Sequence, residues 1–131
     1  MKNIKFKLLR YSYYFSLGSL FILYLFPGSL IGYFLYGNLA QQPDLISNPI
    51  GTSINHLISF IFLSLLAFIM RVREKKIINS FQFLFFTSIL LEILHYFIPN
   101  RAFEYYDLFA NCIGIVLTYL LIQLILKIKT R

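Results

Sequence analysis

The sequence predicts an all-α polytopic membrane protein, a bundle of four transmembrane helices forming a single domain over residues 1–131. Two observations predict this class. The chain is 59% hydrophobic and only 13% charged, whereas soluble domains are nearer half apolar and a quarter charged. The apolar residues fall in four runs, 15–36, 54–70, 77–98 and 108–126, and each run has the roughly 17 to 25 residues that a spanning helix needs.

The basic residues give the orientation of these helices. Four of the twelve lie before the first run, four in the link 71–76 and three in the tail 127–131, while the loop 37–53 has none. Cytoplasmic segments of membrane proteins carry an excess of Lys and Arg. We therefore expect both termini in the cytoplasm and Arg101, the remaining cation, on the outer side.

The first run contains a helix breaker. Pro27 and Gly28 fall near its middle, and proline removes a backbone hydrogen bond and clashes with the preceding turn. We predict a kink there, with neighbouring helices satisfying the freed carbonyl. The run is too long for the core of a secretory signal, so we interpret it as an uncleaved helix.

Polar residues collect at the outer ends of the predicted helices. A charged side chain at the centre of a membrane helix costs about 2.5 to 3.5 kcal/mol on insertion scales, so such residues need partners or a function. The sequence predicts a polar binding site there, formed by His56, Glu92, His95, Arg101, Asp107 and Asn111.

Electrostatics suggests a first partner for the deepest acid. Glu92 must pair, hydrogen-bond or stay protonated, and Arg101 is the outer-side cation that is always charged. We expect Arg101 to pair with Glu92 or Asp107. Purely structural roles are equally compatible with these residues: Asp107 as a helix N-cap, and Asn111 as an interhelical hydrogen-bonding group.

Other chemistries are less well supported. Glu92 and His95 have the Glu-x-x-His spacing of di-metal helical bundles, but a second such pair and two more carboxylates are missing. We therefore predict no metal site and no cofactor. The net charge of +7 is explained by an anionic membrane surface, and we expect no nucleic-acid partner.

The last third of the chain resembles the VanZ-like family of small membrane proteins. That family's signature is E-x-x-Q, then P-x-R, then D-x-x-x-N-x-x-G. Its spacing is matched by Glu92, Pro99, Arg101, Asp107, Asn111 and Gly114, with His95 at the position of the glutamine. An earlier motif, D-K-x-x-H-F, falls on residues 55–60 and matches only at Phe60.

The resemblance implies a multi-pass protein of the cell membrane and a role in the cell envelope. The best-known relative is linked to low-level teicoplanin resistance, so a similar role is an expectation by analogy. Our leading hypothesis is that the polar pocket binds a lipid headgroup or a lipid-linked envelope precursor. The alternatives are a membrane-embedded acid/base enzyme using Glu92 or His95 and a non-catalytic assembly partner of another membrane protein. The oligomeric state stays open.

Overall fold

The protein is all-helical in a computed structural model that describes residues 2–44 and 51–130, and 76% of the chain is helix. The helices are α1 (Lys2–Leu25), α2 (Leu30–Tyr36), α3 (Ser53–Arg73), α4 (Phe81–Leu94) and α5 (Tyr105–Lys129), with a short 3₁₀ turn (Ile77–Asn79) before α4. The described residues form no strand. The predicted all-α class is confirmed.

Two helices, α3 and α5, are long and apolar enough to cross a membrane. A third candidate span exists if α1 and α2 are counted together, although they meet at 82°. The third predicted span, 77–98, is represented by α4, which is apolar but has only 14 residues. The described helices therefore supply two to three candidate spans by length and composition.

The predicted kink in the first run is a complete break. Helix α1 begins at Lys2 and ends at Leu25 instead of running through 15–36, because Pro27 cannot donate and Gly28 adopts a left-handed φ of 93°. The Ser29 hydroxyl then caps α2 by accepting from the Gly32 amide at 2.9 Å.

The later boundaries also differ from the predicted runs. Helix α4 starts at Phe81, since the Ser80 hydroxyl caps it by accepting from the Phe83 amide at 3.1 Å. Helix α5 starts at Tyr105, three residues before the predicted 108. Asp107 therefore lies in the first helical turn, and the expectation that it is the N-cap is wrong: Glu104 occupies the cap position without a side-chain cap bond.

Contacts at the two ends show how the helices run. At one end, Arg10 of α1 pairs with Glu74 beyond α3 at 3.2 Å, and the Tyr13 hydroxyl donates to the Ile78 carbonyl at 2.5 Å. At the other end, Tyr24 of α1 contacts His56 of α3 and Asn111 of α5. Helices α1 and α3 therefore run in opposite directions.

Apolar side chains fill the space between the helices and also cover their outer surfaces. The buried core includes Tyr13, Leu17, Phe60, Leu84 and Ile115. Large apolar residues such as Phe15, Ile69, Phe86 and Ile125 are exposed. An apolar exterior of this extent is typical of a surface that faces lipid.

Candidate functional site at the Tyr24 end of the helices

The predicted site residues lie together at the end of the molecule where α1 breaks. His56, Glu92, His95, Asp107 and Asn111 are all buried, whereas Arg101 is half-buried. They come from α3, α4, α5 and the connection between α4 and α5. The residue that joins them, Tyr24 of α1, is itself buried.

A chain of close polar contacts runs from Tyr24 to Asp107. The Tyr24 hydroxyl lies 2.6 Å from His56 Nδ1, and His56 Nε2 lies 3.4 Å from Asp107 Oδ2. The Ser53 hydroxyl donates to the other carboxylate oxygen, Oδ1, at 2.5 Å. Asp107 is therefore fixed on both oxygens, and it can orient the imidazole and stabilise its protonated form.

Asn111 lies one turn further along α5 and joins the same cluster. Its Oδ1 accepts from the Tyr24 hydroxyl at 2.9 Å and lies 3.2 Å from His56 Nδ1. Its Nδ2 is buried and has no hydrogen-bond partner among the described residues. Since a buried amide usually finds a partner, Nδ2 is an unused donor within the described cluster.

Glu92 and His95 form a second acid–imidazole pair, on the other side of Tyr24. His95 Nδ1 is 3.3 Å from Glu92 Oε1, and Nε2 is 3.1 Å from the Tyr24 carbonyl. Because a carbonyl only accepts, Nε2 carries a hydrogen. The other ring nitrogen, Nδ1, faces the Glu92 carboxyl group. Oε1 also accepts from the Glu104 amide at 3.0 Å.

The expected pairing of Arg101 with a carboxylate is not found. The Arg101 guanidinium donates instead to the carbonyls of Leu23, through Nη2, and Phe26, through Nε at 3.3 Å. In an unbroken helix the Leu23 carbonyl would accept from residue 27, but Pro27 has no amide hydrogen. Arg101 replaces that missing donor, and its charge suits the negative end of the helix dipole.

Burial and charge shift the ionisation of the two charged residues in the connection. Desolvation lowers the pKa of Arg101, while Tyr24, Glu92 and Asp107 oppose this effect. Desolvation raises the pKa of Glu104, and the carboxylates of Asp107 and Glu92 raise it further. The connection is therefore a region where negative charge has accumulated around one cation.

Two cavities adjoin this cluster, and Arg101 and Gln42 line both. The smaller, of about 100 Å³, is also lined by Tyr24, Ser29, Asn55 and His56. The larger, of about 580 Å³, is lined by acidic and polar residues that include Asp44, Glu104, Asp107, Thr52 and His95. In the described part of the chain, no three His, Cys, Asp or Glu side chains are grouped to hold a metal ion.

A comparison with known protein families identifies the family of this chain. A family model described as VanZ/LLP1 matches residues 14–126, which is most of the chain. The chain belongs to the VanZ/LLP1 family. No curated protein and no solved structure matches it.

Five residues at the signature positions of this VanZ/LLP1 chain have a defined structural environment. His95 and Arg101 satisfy carbonyls at the broken end of α1, while Asp107 and Asn111 face His56 and Tyr24 from one side of α5. Gly114 lies where α5 meets α3: a Cβ there would be 2.8 Å from the Leu57 carbonyl.

Sequence reasoning missed Tyr24, Ser53 and Glu104. Tyr24 lies in an aromatic-rich run where its hydroxyl gives no distinct signal, and Glu104 contributes through its backbone amide. The position of Tyr24, three residues before Pro27, is the one clue. The carbonyls before a proline break need outside donors, so polar groups are expected to gather there.

Proposed function

We propose that this VanZ/LLP1 protein binds an anionic, phosphate-bearing group of a lipid headgroup or a lipid-linked envelope precursor. The site is the small cavity beside Arg101, on the extracytoplasmic side of the cell membrane. The observation that carries the proposal is a half-buried, immobilised guanidinium facing a cavity that no carboxylate of the described residues lines.

The topology belongs to the proposal. We place α1, α3, α4 and α5 across the membrane as a four-helix bundle, with both termini in the cytoplasm. At about 1.5 Å per residue, the 24 residues of α1 measure about 36 Å, which is enough for a bilayer core. Arg10, Arg71, Arg73 and Lys76 lie at the end opposite Tyr24, and the positive-inside rule supports a cytoplasmic position for that end.

Exposed aromatic residues surround the cavity end of the molecule. Tyr33 and Tyr36 of α2, Tyr96 after α4, and Tyr105 and Tyr106 at the start of α5 are each more than half exposed. Tyrosine side chains favour the boundary between hydrocarbon and headgroups. This supports a depth at which the cavity opens among the phosphates of the outer leaflet.

The lining of the small cavity favours an anion. Among the described residues that line it, Arg101 alone has a permanent charge, and Tyr24, Ser29, Asn55 and His56 can provide hydrogen bonds. Arg101 already donates to carbonyls through Nε and Nη2, and these two bonds fix the plane of the guanidinium. The remaining nitrogen, Nη1, is left as a donor for a ligand. A volume of about 100 Å³ exceeds the needs of one water several-fold, so a phosphate group is a suitable occupant.

The first prediction tests this site. Arg101→Gln should weaken binding at least about tenfold, since a charge-assisted hydrogen bond contributes about 1.5 to 3 kcal/mol. The assay is lipid retention by native mass spectrometry after purification from phosphatidylcholine nanodiscs containing phosphatidylglycerol or a polyprenyl diphosphate. The two lipids separate an ordinary headgroup from a lipid-linked precursor.

The matched control is Arg73→Gln. Arg73 is an exposed arginine at the end of α3 that lies away from the small cavity. This variant should retain both lipids as the parent protein does. Equal retention of lipid by the parent protein and by Arg101→Gln would contradict the proposed site.

Acid/base catalysis is the second candidate function, and one observation favours it. Two buried carboxylate–imidazole pairs, His56 with Asp107 and His95 with Glu92, flank the same tyrosine. A base oriented by a carboxylate is the usual arrangement for proton transfer in catalysis. Turnover of a bound lipid that is lost in His56→Gln while binding persists would establish the enzyme; binding without turnover supports the binding protein.

A role in teicoplanin resistance is a separate proposal that rests on the family resemblance. Its test is the teicoplanin concentration that inhibits cells expressing the protein, compared with cells expressing Arg101→Gln. An increase that depends on Arg101 would connect resistance with the proposed site.

A further inference from the structure

The Tyr24 hydroxyl has one hydrogen and two acceptors. His56 Nδ1 is 2.6 Å away and Asn111 Oδ1 is 2.9 Å away. The hydroxyl can therefore donate to either neighbour by rotating about its C–O bond, without any heavy-atom movement. This choice links the direction of the hydroxyl to the protonation of His56.

Two proton arrangements satisfy the cluster. With a neutral imidazole, the hydrogen on His56 Nε2 faces Asp107, 3.4 Å away, and Nδ1 accepts from Tyr24. With an imidazolium, the Nε2 hydrogen still faces Asp107, Nδ1 donates to the Tyr24 oxygen, and the Tyr24 hydrogen turns to Asn111 Oδ1. The cluster thus accepts or releases one proton while its heavy atoms stay in place.

The groups around His56 come from every neighbouring element. They are Tyr24 from α1, Glu92 and His95 from α4, Asp107 from α5, and Arg101 from the connection between α4 and α5. Burial is the main opposition to an imidazolium at His56, whereas the carboxylates of Asp107 and Glu92 favour it. An anion in the small cavity, which His56 and Arg101 both line, adds a further negative charge that favours the imidazolium.

We propose that binding of a phosphate group in the small cavity is coupled to the uptake of one proton by His56. The inference rests on the proposed function, because it requires an anion beside Arg101. His56 and Tyr24 line that same cavity, so a bound anion stabilises the imidazolium through space. Because coupling between two ligands is reciprocal, protonation of His56 must in turn tighten the binding of the anion.

The experiment is isothermal titration calorimetry on the full chain in detergent, with dihexanoyl phosphatidylglycerol as the probe. A phosphate diester keeps one negative charge over the pH range 5.5 to 8, so a pH-dependent affinity reports on the protein. We expect affinity to rise by up to about tenfold for each pH unit of acidification across the transition. Two buffers with different ionisation heats should reveal uptake of about one proton.

Variants assign the proton to its residue. His56→Gln should bind with an affinity that does not change with pH. Asp107→Asn keeps the shape of the site but removes the carboxylate that stabilises the imidazolium, so its transition should move to lower pH. Tyr119→Phe changes an exposed tyrosine that contacts Phe81 far from the cluster; it is the control for a substitution outside the site and should behave as the parent.

The outcomes separate this inference from the function on which it rests. No binding of the probe at any pH would overturn the proposed function. Binding with no pH dependence, or a dependence that survives in His56→Gln, would overturn the coupling and leave the binding site intact. Dimethyl phosphate as a second probe separates a free phosphate diester from a lipid: equal affinity would overturn the lipid as the source of the phosphate group.

Discussion

At the scale of single residues, Arg101 supplies a hydrogen-bond donor that Pro27 lacks. The proline removes the donor that the Leu23 carbonyl would use, and the arginine supplies another from a site 78 residues further along the chain. A buried carbonyl without a donor costs about 1 to 3 kcal/mol. The arginine that we propose as the anion-binding group is therefore also part of the structure of α1.

A double-mutant cycle should measure this partnership. Arg101→Gln should lower the free energy of unfolding by about 2 to 4 kcal/mol, since two carbonyls lose charge-assisted donors. In a Pro27→Ala background the loss should be smaller, because residue 27 regains an amide hydrogen for the Leu23 carbonyl. The measurement is thermal or denaturant unfolding in detergent. Fully additive effects of the two substitutions would contradict the replacement of one donor by the other.

At the scale of elements, the contact between α3 and α5 depends on a glycine. A Cβ at Gly114 would lie 2.8 Å from the Leu57 carbonyl and 3.2 Å from the Phe60 Cβ. The backbone of α5 at Gly114 therefore lies directly against α3. Phe60 and Ile115 are buried in the same region. The separation of α3 and α5 in turn sets the reach of Asp107 to His56.

Gly114→Ala should therefore destabilise the protein by about 1 to 3 kcal/mol through overpacking. Gly18→Ala is the control: no atom lies within 4 Å of its added Cβ, and alanine favours a helix over glycine by about 1 kcal/mol. Unfolding in detergent should show opposite signs for the two variants. A stabilised Gly114→Ala protein would show that the helices can separate at no cost.

Element boundaries were the least predictable part of the fold. The four apolar runs located α1, α3, α4 and α5 correctly in order, since hydrophobicity over a long window is a strong signal. Their ends were set by single hydrogen bonds, such as the Ser80 cap, which the apolar pattern does not contain. The clustering of the polar residues could be predicted because charges are rare in apolar runs. The partners of Arg101 could not be predicted, because they are backbone carbonyls at a helix break and a sequence does not show where such carbonyls lie.

At the scale of the whole molecule, charge is divided between the two ends. Most cations lie at the Arg10 end, and the buried acid–imidazole pairs lie at the Tyr24 end. We expect cysteine at Ala102 to react with an impermeant thiol reagent in intact cells, and cysteine at Lys75 to react only after lysis. Both positions are exposed, and Cys112→Ser provides a background without other thiols. Labelling at position 75 in intact cells would reverse the orientation.

The two bonds from Arg101 to the end of α1 also constrain how the protein is made. A ribosome completes Leu23 and Phe26 more than seventy residues before it reaches Arg101. During that interval the open carbonyls have no protein donor from residue 101, and water at the membrane surface is the solvent that can satisfy them. In the nascent chain, the segment that contains α1 and α2 should therefore stay at the edge of the bilayer. The two bonds from Arg101 should form as one of the last events of assembly.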